Sequence, residues 1–562
     1  MPHPSPFSIP IPCTDVLSYL FPPSCPPSTD LVWIDAVDTS KSLSPAQLLQ
    51  WVKRLGFGLQ KLGLREDDVV MIYSSNHIFV PVAYLGIAGS GCIFTGCNPA
   101  YGADEMAYQI QNTGTKAILC APELLDTALK AAAKEHFPKD RVYLFDDSDC
   151  APIHGIKDWK NILGTEEEAR TWTWTQLSAD EAKQKTAVLN YSSGTTGLPK
   201  GVMITHQNII ANTVQSLHMR QLTSGDPSIP PTPQTSTGPE RWLGFLPLYH
   251  AYGQLWTIVA AAATRTPTYM MRTFSFQPFL SHMARHRITH LQTAPPVVVL
   301  LAKRPETARH DLGSLRNVLC GAAPLSRELQ NEVSEKLDVK VVQTWGMTEV
   351  TCSSLHVPGL VDDRSGSVGL PDPGTVIKLA DDAGREVQGP GVRGEIFVKG
   401  PNVCRGYWRN ESATRDAFDE EGFLKTGDVA VRDERGWFWI VDRKKELIKV
   451  KGFQVAPAEL EAVLLEHDGL ADAAVVGLQA EHGQELPRAY VVRKEDAKKN
   501  GLKESHVVEW IGGKVASHKR LDGGVAFIEE VPKSPSGKIQ RKVLREWAKK
   551  DSNVGNQAKA KL

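Results

Sequence analysis

Eleven consecutive residues hold the densest chemistry in the chain: Tyr191-Ser192-Ser193-Gly194-Thr195-Thr196-Gly197-Leu198-Pro199-Lys200-Gly201. Four Ser/Thr hydroxyls, three glycines and one lysine suit a loop that wraps phosphate oxygens. Glycine lets backbone N–H groups approach an anion, Ser and Thr donate further hydrogen bonds, and Lys200 adds positive charge. The spacing is not that of a Walker A loop, which needs four residues between its glycines and a Ser or Thr directly after the lysine. A P-loop NTPase is therefore excluded. A flexible turn explains four or five such residues, but not eleven flanked by regular elements.

The loop needs a scaffold, and the sequence supplies one. It follows an apolar strand, Thr186–Asn190, and precedes a helix rich in Ile and Asn. Upstream, Leu48, Leu49, Val52, Leu55, Leu59 and Leu62 mark a helix over Pro45–Leu64, and Val69–Tyr73 reads as a buried strand. Further strands are predicted at Ala117–Cys120, Val142–Phe145 and Val188–Tyr191. Strands alternating with helices imply an α/β fold with largely parallel sheets. After about residue 365 short strands and glycine turns take over. From Asp442 a compact α+β pattern follows, with a helix at Ala456–Leu465, strands at Ala474–Leu478 and Ala489–Val492, and a helix from Glu504. The expected organisation is a large N-terminal domain of several subdomains (1–441), a small C-terminal domain (442–550) and a flexible tail (551–562).

Composition bounds the function. The 562 residues are 41% hydrophobic and 23% charged, a globular balance spread over more than one packed unit. Sixty-three basic residues face 64 acidic ones, so bulk electrostatic binding to nucleic acid is excluded while a local phosphate site is not. Nine cysteines stand singly, without the spacing of a metal or redox pair, and read as buried, inert thiols of a reducing compartment. The proline-rich Met1–Pro27 lacks the basic start and apolar core of a signal peptide. Ile78–Phe94 is interrupted by Pro81, Tyr84, Ser90 and three glycines, so it predicts a buried helix and no transmembrane segment. Thr223–Glu240 reads as a solvated loop.

Five further segments join the loop in a fixed order: Gly321-Ala322-Ala323-Pro324, Gln343-Thr344-Trp345-Gly346-Met347-Thr348-Glu349, Thr426-Gly427-Asp428, Asp442-Arg443-Lys444-Lys445-Glu446 through Gly452, and Pro532-Lys533-Ser534-Pro535-Ser536-Gly537-Lys538. Together they resemble the adenylate-forming superfamily of acyl-CoA synthetases, 4-coumarate–CoA ligases, luciferases and nonribosomal adenylation domains, over nearly the whole chain. The resemblance implies ATP, CoA and Mg²⁺ as cofactors and a small-molecule carboxylic acid as substrate. Thr348 would touch the α-phosphate and Glu349 would hold Mg²⁺. Ser192, Ser193, Gly194, Thr195, Thr196 and Lys200 would bind phosphate. Trp345 would stack beside adenine, with Gly321, Ala322, Gln343 and Thr344 around it. Many relatives carry Tyr at the Trp345 position, so a phenol hydrogen bond is lost there. Asp428 and Arg443 would hold the ribose. Lys538 would bridge carboxylate and α-phosphate, and rotation about Lys445 would then bring catalytic Lys449 and the CoA-binding Lys451, Gly452 and Gln454 to the site.

Leu246–Gly253 matches the segment flanking the acyl pocket, with His250 near the carboxylate and Tyr252 in the wall. It has no Asp to bind a substrate ammonium, which points away from amino acids. After Glu349 the chain reads Val350-Thr351-Cys352-Ser353 where plant coumarate ligases tend to have Gly-Pro-Val. An aryl, medium-chain or secondary-metabolite acid fits. The implied activity is an ATP-dependent acid–thiol ligase working through an acyl-adenylate. The alternatives are a stand-alone adenylation enzyme loading a carrier protein in trans and a luciferase-like oxygenase. Ala560-Lys561-Leu562 is a near match to the Ser-Lys-Leu peroxisomal signal, read by an import receptor. The expected address is the peroxisomal matrix, or the cytoplasm if the tripeptide is not read.

Overall fold

The alternation of strands and helices resolves into two largely parallel sheets. The computed structural model describes residues 2–192, 198–229, 239–450, 453–479, 485–534 and 537–559, with side chains as far as Asp551. One sheet has six strands in the order Val142–Leu144, Ala117–Cys120, Val69–Tyr73, Ile93–Cys97, Thr186–Ser192 and Lys200–Thr205. All its pairs are parallel except the last. Every residue of Val69–Tyr73 is buried, as a parallel sheet covered on both faces requires. The second sheet has nine strands, with Trp33–Asp35, Thr268–Met270, Trp242–Gly244, His290–Thr293, Asn317–Cys320 and Lys340–Trp345 parallel through its middle.

The helix Pro45–Lys61 opens with a capping box between Ser44 and Gln47 and buries Leu48, Val52, Leu55 and Leu59. Ile78–Phe94 is a buried helix, Val80–Gly89, that runs on into the strand Ile93–Cys97. A third sheet of five strands is antiparallel throughout, and His3–Pro4 forms its edge against Val376–Ile377. The small domain holds the hairpin strands Ile448–Val450 and Phe453–Val455 and a three-stranded sheet packed under helices.

Four expectations change. The phosphate-loop candidate does not lead into a helix. It joins two antiparallel strands, with Ser192 opposite Lys200, and the helix His206–Gln221 starts one strand later, capped by Thr205. The strand Phe438–Arg443 runs past the expected 441/442 boundary because Asp428 and Asp442 keep it paired and capped. The last helix, Arg541–Lys559, continues beyond Lys550 through the segment read as a tail. Not all cysteines are buried: Cys13 and Cys25 are exposed. Residues 230–238 of the Thr223–Glu240 loop lie outside the described residues.

Burial lowers the pKa of His77, His206 and His290 to about 4 each. An unfolded histidine titrates near 6.5, so between these values the unfolded chain binds more protons. Each ring therefore favours the folded state above that window, and this stability is lost as pH falls through it. Asp442 and Glu461, raised by burial to about 6 and about 7, act oppositely: their contribution is lost as pH rises through those values. Because the three histidines all lie in the large domain, its calorimetric transition is expected to fall on acidification from pH 7 to pH 5. His206→Asn keeps an acceptor for the Val16 N–H, now 3.2 Å from Nδ1, and should flatten that fall. A pH slope identical to that of the wild type would refute the assignment.

Candidate active site

A cleft of about 440 Å³ opens at the C-terminal ends of the nine-stranded sheet's parallel strands. Gly321, Ala322, Thr344 and Thr348 line one side, His250, Tyr252 and Trp256 another, and Lys538 comes from the small domain. Such a crevice beyond the carboxyl ends of parallel strands is where α/β sheets bind ligands.

The His250 side is fixed by amides. Asn76 accepts from the Leu248 N–H and donates to the Leu246 carbonyl, each at 3.0 Å. Asn190 and Gln254 exchange two hydrogen bonds at 2.8 and 2.9 Å, tying the strand before the phosphate-loop candidate to the π-helical turns Gln254–Ala260. Tyr252 donates to the Leu319 carbonyl at 2.9 Å. The wall and Lys538 together push the His250 pKa down to about 3, burial being the larger cause, so the ring is neutral at physiological pH.

Opposite lies a strained turn. Thr351 has φ +68° and ψ −52°, and the Cys352 N–H reaches the Val350 carbonyl at 2.8 Å. A β-branched residue rarely adopts this conformation, which costs on the order of 1–3 kcal/mol and persists only where its surroundings enforce it. Asn402 does so. Its backbone carbonyl accepts from Thr351 Oγ1 at 2.7 Å, and its fully buried amide donates to the Val350 and Ser353 carbonyls and to Ser354 Oγ. Gly346 is compulsory here, since a Cβ would sit 1.8 Å from the Cys352 carbonyl oxygen.

Glu349 follows directly and is buried. The Tyr407 hydroxyl donates to Glu349 Oε1 at 3.0 Å, which leaves one carboxylate oxygen for a cation. The Lys200 ammonium sits 4.7 Å from the centre of the Tyr407 ring. Backbone pairing of Gly406 and Trp408 with the Lys200–Thr205 strand puts Tyr407 there.

Asp428 is held on both sides. The Trp345 indole N–H donates to its Oδ2 at 2.9 Å, and Arg443 pairs with Oδ1 at 3.0 Å. The tryptophan thus supplies a donor of its own in place of the expected lost phenol contact. Trp345, Asp428, Arg443 and Gln343 all lie outside the residues that line the cleft. The buried amide of Gln343 donates to Gln330 and to the Leu325 carbonyl, fixing the Gly321–Pro324 turn from behind.

Beyond Arg443, the Lys444 N–H donates to the Gly427 carbonyl and its Nζ pairs with Glu395, whereas Lys445 is exposed. Lys538 stands on a turn closed by two hydrogen bonds to Ser534. Gly537, at φ +83°, lets this turn dock: a Cβ there would lie 2.7 Å from Pro296. Burial and then Arg443 lower the Lys538 pKa, against the pull of Asp428, Glu349 and Glu446.

Lys449 and Gln454 form an exposed cross-strand pair away from the cleft lining. Lys451, Gly452, Ser193, Gly194, Thr195 and Thr196 lie outside the described residues, and Ser192 ends its strand opposite Lys200. Sequence reasoning missed Tyr407, Asn402 and Trp256. Their neighbours carry no spacing signal, because each works through a contact distant in sequence.

Fold and cleft are those of an adenylate-forming enzyme. The chain belongs to the AMP-binding enzyme family, which matches residues 26–408, with the family's C-terminal domain matching residues 459–538. Within that family it is an acyl-CoA synthetase/ligase. It is 39% identical to the acyl-CoA synthetase ACTT5 of Alternaria alternata over 92% of this chain and 87% of that one. It is 37% identical to the phenylacetyl-CoA ligase epaB of Aspergillus niger (96% and 98%) and 34% identical to the peroxisomal OPC-8:0-CoA ligase 1 of Arabidopsis thaliana (93% and 92%). The ATP-bound structure of MatB from Rhodopseudomonas palustris superposes with a TM-score of 0.78 at 28% identity, covering 95% of this chain and 98% of that one.

Gly346→Ala is expected to displace the Thr348–Ser354 turn and lower acid activation by about 10²-fold, because an error of ~1 Å in positioning has that effect. The measurement is acid-dependent pyrophosphate release, alongside circular dichroism to confirm folding. Unchanged kinetics would show that the turn does not position the site.

Proposed function

We propose that the enzyme converts a carboxylic acid to its CoA thioester in two steps at this cleft. In the first, a carboxylate oxygen attacks the α-phosphorus of ATP, the bond to the β-phosphate breaks and pyrophosphate leaves. In the second, the CoA thiolate attacks the acyl carbon of the mixed anhydride and AMP leaves. The observation that carries this reading is the convergence of Lys538, Thr348 and His250 on one cleft.

Two anions must meet in the first step, so charge neutralisation governs its rate. Lys538 supplies a cation beside the acid, and neutral His250 approaches the carboxylate without adding charge. Glu349, with one oxygen already held by Tyr407, suits Mg²⁺, a hard cation that keeps several waters and needs few protein carboxylates. Such an ion would neutralise phosphate charge. Asp428, oriented by Trp345 and Arg443, is placed to accept from ribose hydroxyls. The second step needs Lys538 withdrawn and the Lys449 hairpin presented. The last large-domain hydrogen bond before Lys445 and the exposure of Lys445 support a hinge at that residue.

An aryl or medium-chain acid suits the cleft, in line with the phenylacetyl-CoA ligase among the relatives. Ala560-Lys561-Leu562 and the peroxisomal relative support import into peroxisomes. Among the described residues no helix is long and apolar enough to cross a membrane.

Lys538→Ala should lower acyl-adenylate formation by about 10²–10³-fold, the effect of losing one transition-state charge contact, and spare thioester formation from synthetic acyl-AMP. Assaying the half-reactions separately decides it, and equal losses in both would sink the two-conformation scheme. For the address, a fluorescent protein fused to the N-terminus should co-localise with a peroxisomal marker and become diffuse once residues 560–562 are removed. A diffuse intact fusion would reject peroxisomal import.

A further inference from the structure

Two side chains one turn apart on the helix Ala103–Thr113 reach the two ends of the phosphate-loop candidate. The Tyr108 hydroxyl donates to the Pro199 carbonyl at 2.9 Å, and Asn112 Oδ1 accepts from the Tyr191 hydroxyl at 2.5 Å. Positions i and i+4 share a helix face, so one face makes both contacts. Tyr191 and Pro199 directly precede Ser192 and Lys200, which stand opposite each other as cross-strand partners. The helix thus grips the residue before each member of that pair.

The helix is itself rooted in the sheet. Its buried Gln109 donates to Thr95 Oγ1 at 3.0 Å and to the Gly96 carbonyl at 3.1 Å. Thr95 Oγ1 in turn donates at 2.9 Å to the Leu189 carbonyl, on the strand that ends at Ser192. A second segment closes the frame. The Trp408 N–H donates to the Gly201 carbonyl at 2.8 Å, and Arg409 Nη1 reaches the Asn112 carbonyl at 3.5 Å. Tyr407, just before them, touches both Lys200 and Glu349. Neither Ser192 nor Lys200 lines the cleft, where Thr348 and Lys538 stand. Contacts run outward from Thr348 through neighbouring Glu349 and Tyr407 to Lys200. A triphosphate with its α-phosphate beside Thr348 would send its outer phosphates along that line.

We propose that Tyr108 and Asn112 are positioning residues for acid activation, holding Ser192 and Lys200 in place for the β- and γ-phosphates of ATP. This rests on the ligase reading above and adds to it two residues that serve one half-reaction alone. Pyrophosphate carries the outer phosphates away after the first step, so the second step has nothing for the pair to hold.

The test uses the full-length enzyme with the half-reactions assayed separately, on whichever of phenylacetate, 4-coumarate, hexanoate and dodecanoate is activated fastest. Tyr108→Phe and Asn112→Ala should each lower kcat/KM for ATP in acyl-adenylate formation by about 5–10-fold, the effect of one lost hydrogen bond. Thioester formation from the synthetic acyl-AMP should match the wild type. Calorimetry with Mg²⁺ and no acid should show α,β-methylene-ATP bound more weakly by a similar factor and AMP bound as before. Tyr191→Phe removes the Asn112 contact from its other end. Combined with Asn112→Ala it should do no more than either change alone, and it serves if Asn112→Ala fails to fold. Equal losses in both half-reactions, parallel weakening of the ATP analogue and AMP, or kinetics unchanged in the folded variants would each overturn the positioning role while leaving the wild-type ligase intact. A wild type that binds neither the ATP analogue nor AMP would overturn the ligase reading and this inference with it.

Discussion

Like charge brought together beside the cleft is the constraint on which the rest of the structure turns. Lys538 and Arg443 come from distant stretches of chain, and like charges brought together out of water repel. Burial first, and then Arg443, lower the Lys538 pKa. The Lys538 turn is seated by the close approach of Gly537 to Pro296, and the Asp442 carboxylate accepts from the Ala458 N–H at 3.1 Å. In the proposed first step ATP would bring negative charge beside Lys538 and Arg443 and offset their repulsion.

Around this mobile cation the large domain is built to be rigid. The exchanged amides of Asn190 and Gln254 couple the strand before the phosphate-loop candidate to the acid-binding wall. Asn402 holds a strained turn that a lone hydrogen bond would not maintain, and so fixes Thr348 and Glu349 at its start. Such rigidity complements the hinge proposed at Lys445, about which the small domain would change partners.

Much of this was legible in the chain. The buried strand Val69–Tyr73 and the amphipathic helix from Pro45 announced themselves by their apolar patterns. The motif series located the cleft because Gly346, Thr348, Glu349, Asp428 and Lys538 follow in an order that a resemblance could recognise. The hairpin at Lys200 was not legible. An apolar run before an Ile-rich helix looks the same whether or not its first six residues pair as an edge strand, and that pairing is long-range. The contacts of Gln343 were not legible either: Thr344 beside it lines the cleft, but on a strand alternate side chains point to opposite faces, and its amide meets Gln330 and Leu325.

The sequence by itself determined the α/β architecture, the family and the reactive groups, because these depend on residue type, spacing and order along the chain. Only the tertiary structure decided that Trp345 orients Asp428, that Tyr407 holds Glu349, and that Asn402 locks the turn between Thr348 and Ser354. It alone showed that His356 lines two neighbouring cavities. Each of these is a contact between residues brought together by sheet order and domain docking. Hydrogen bonds and cavities of this kind follow from where strands lie beside one another, and local residue patterns do not encode it.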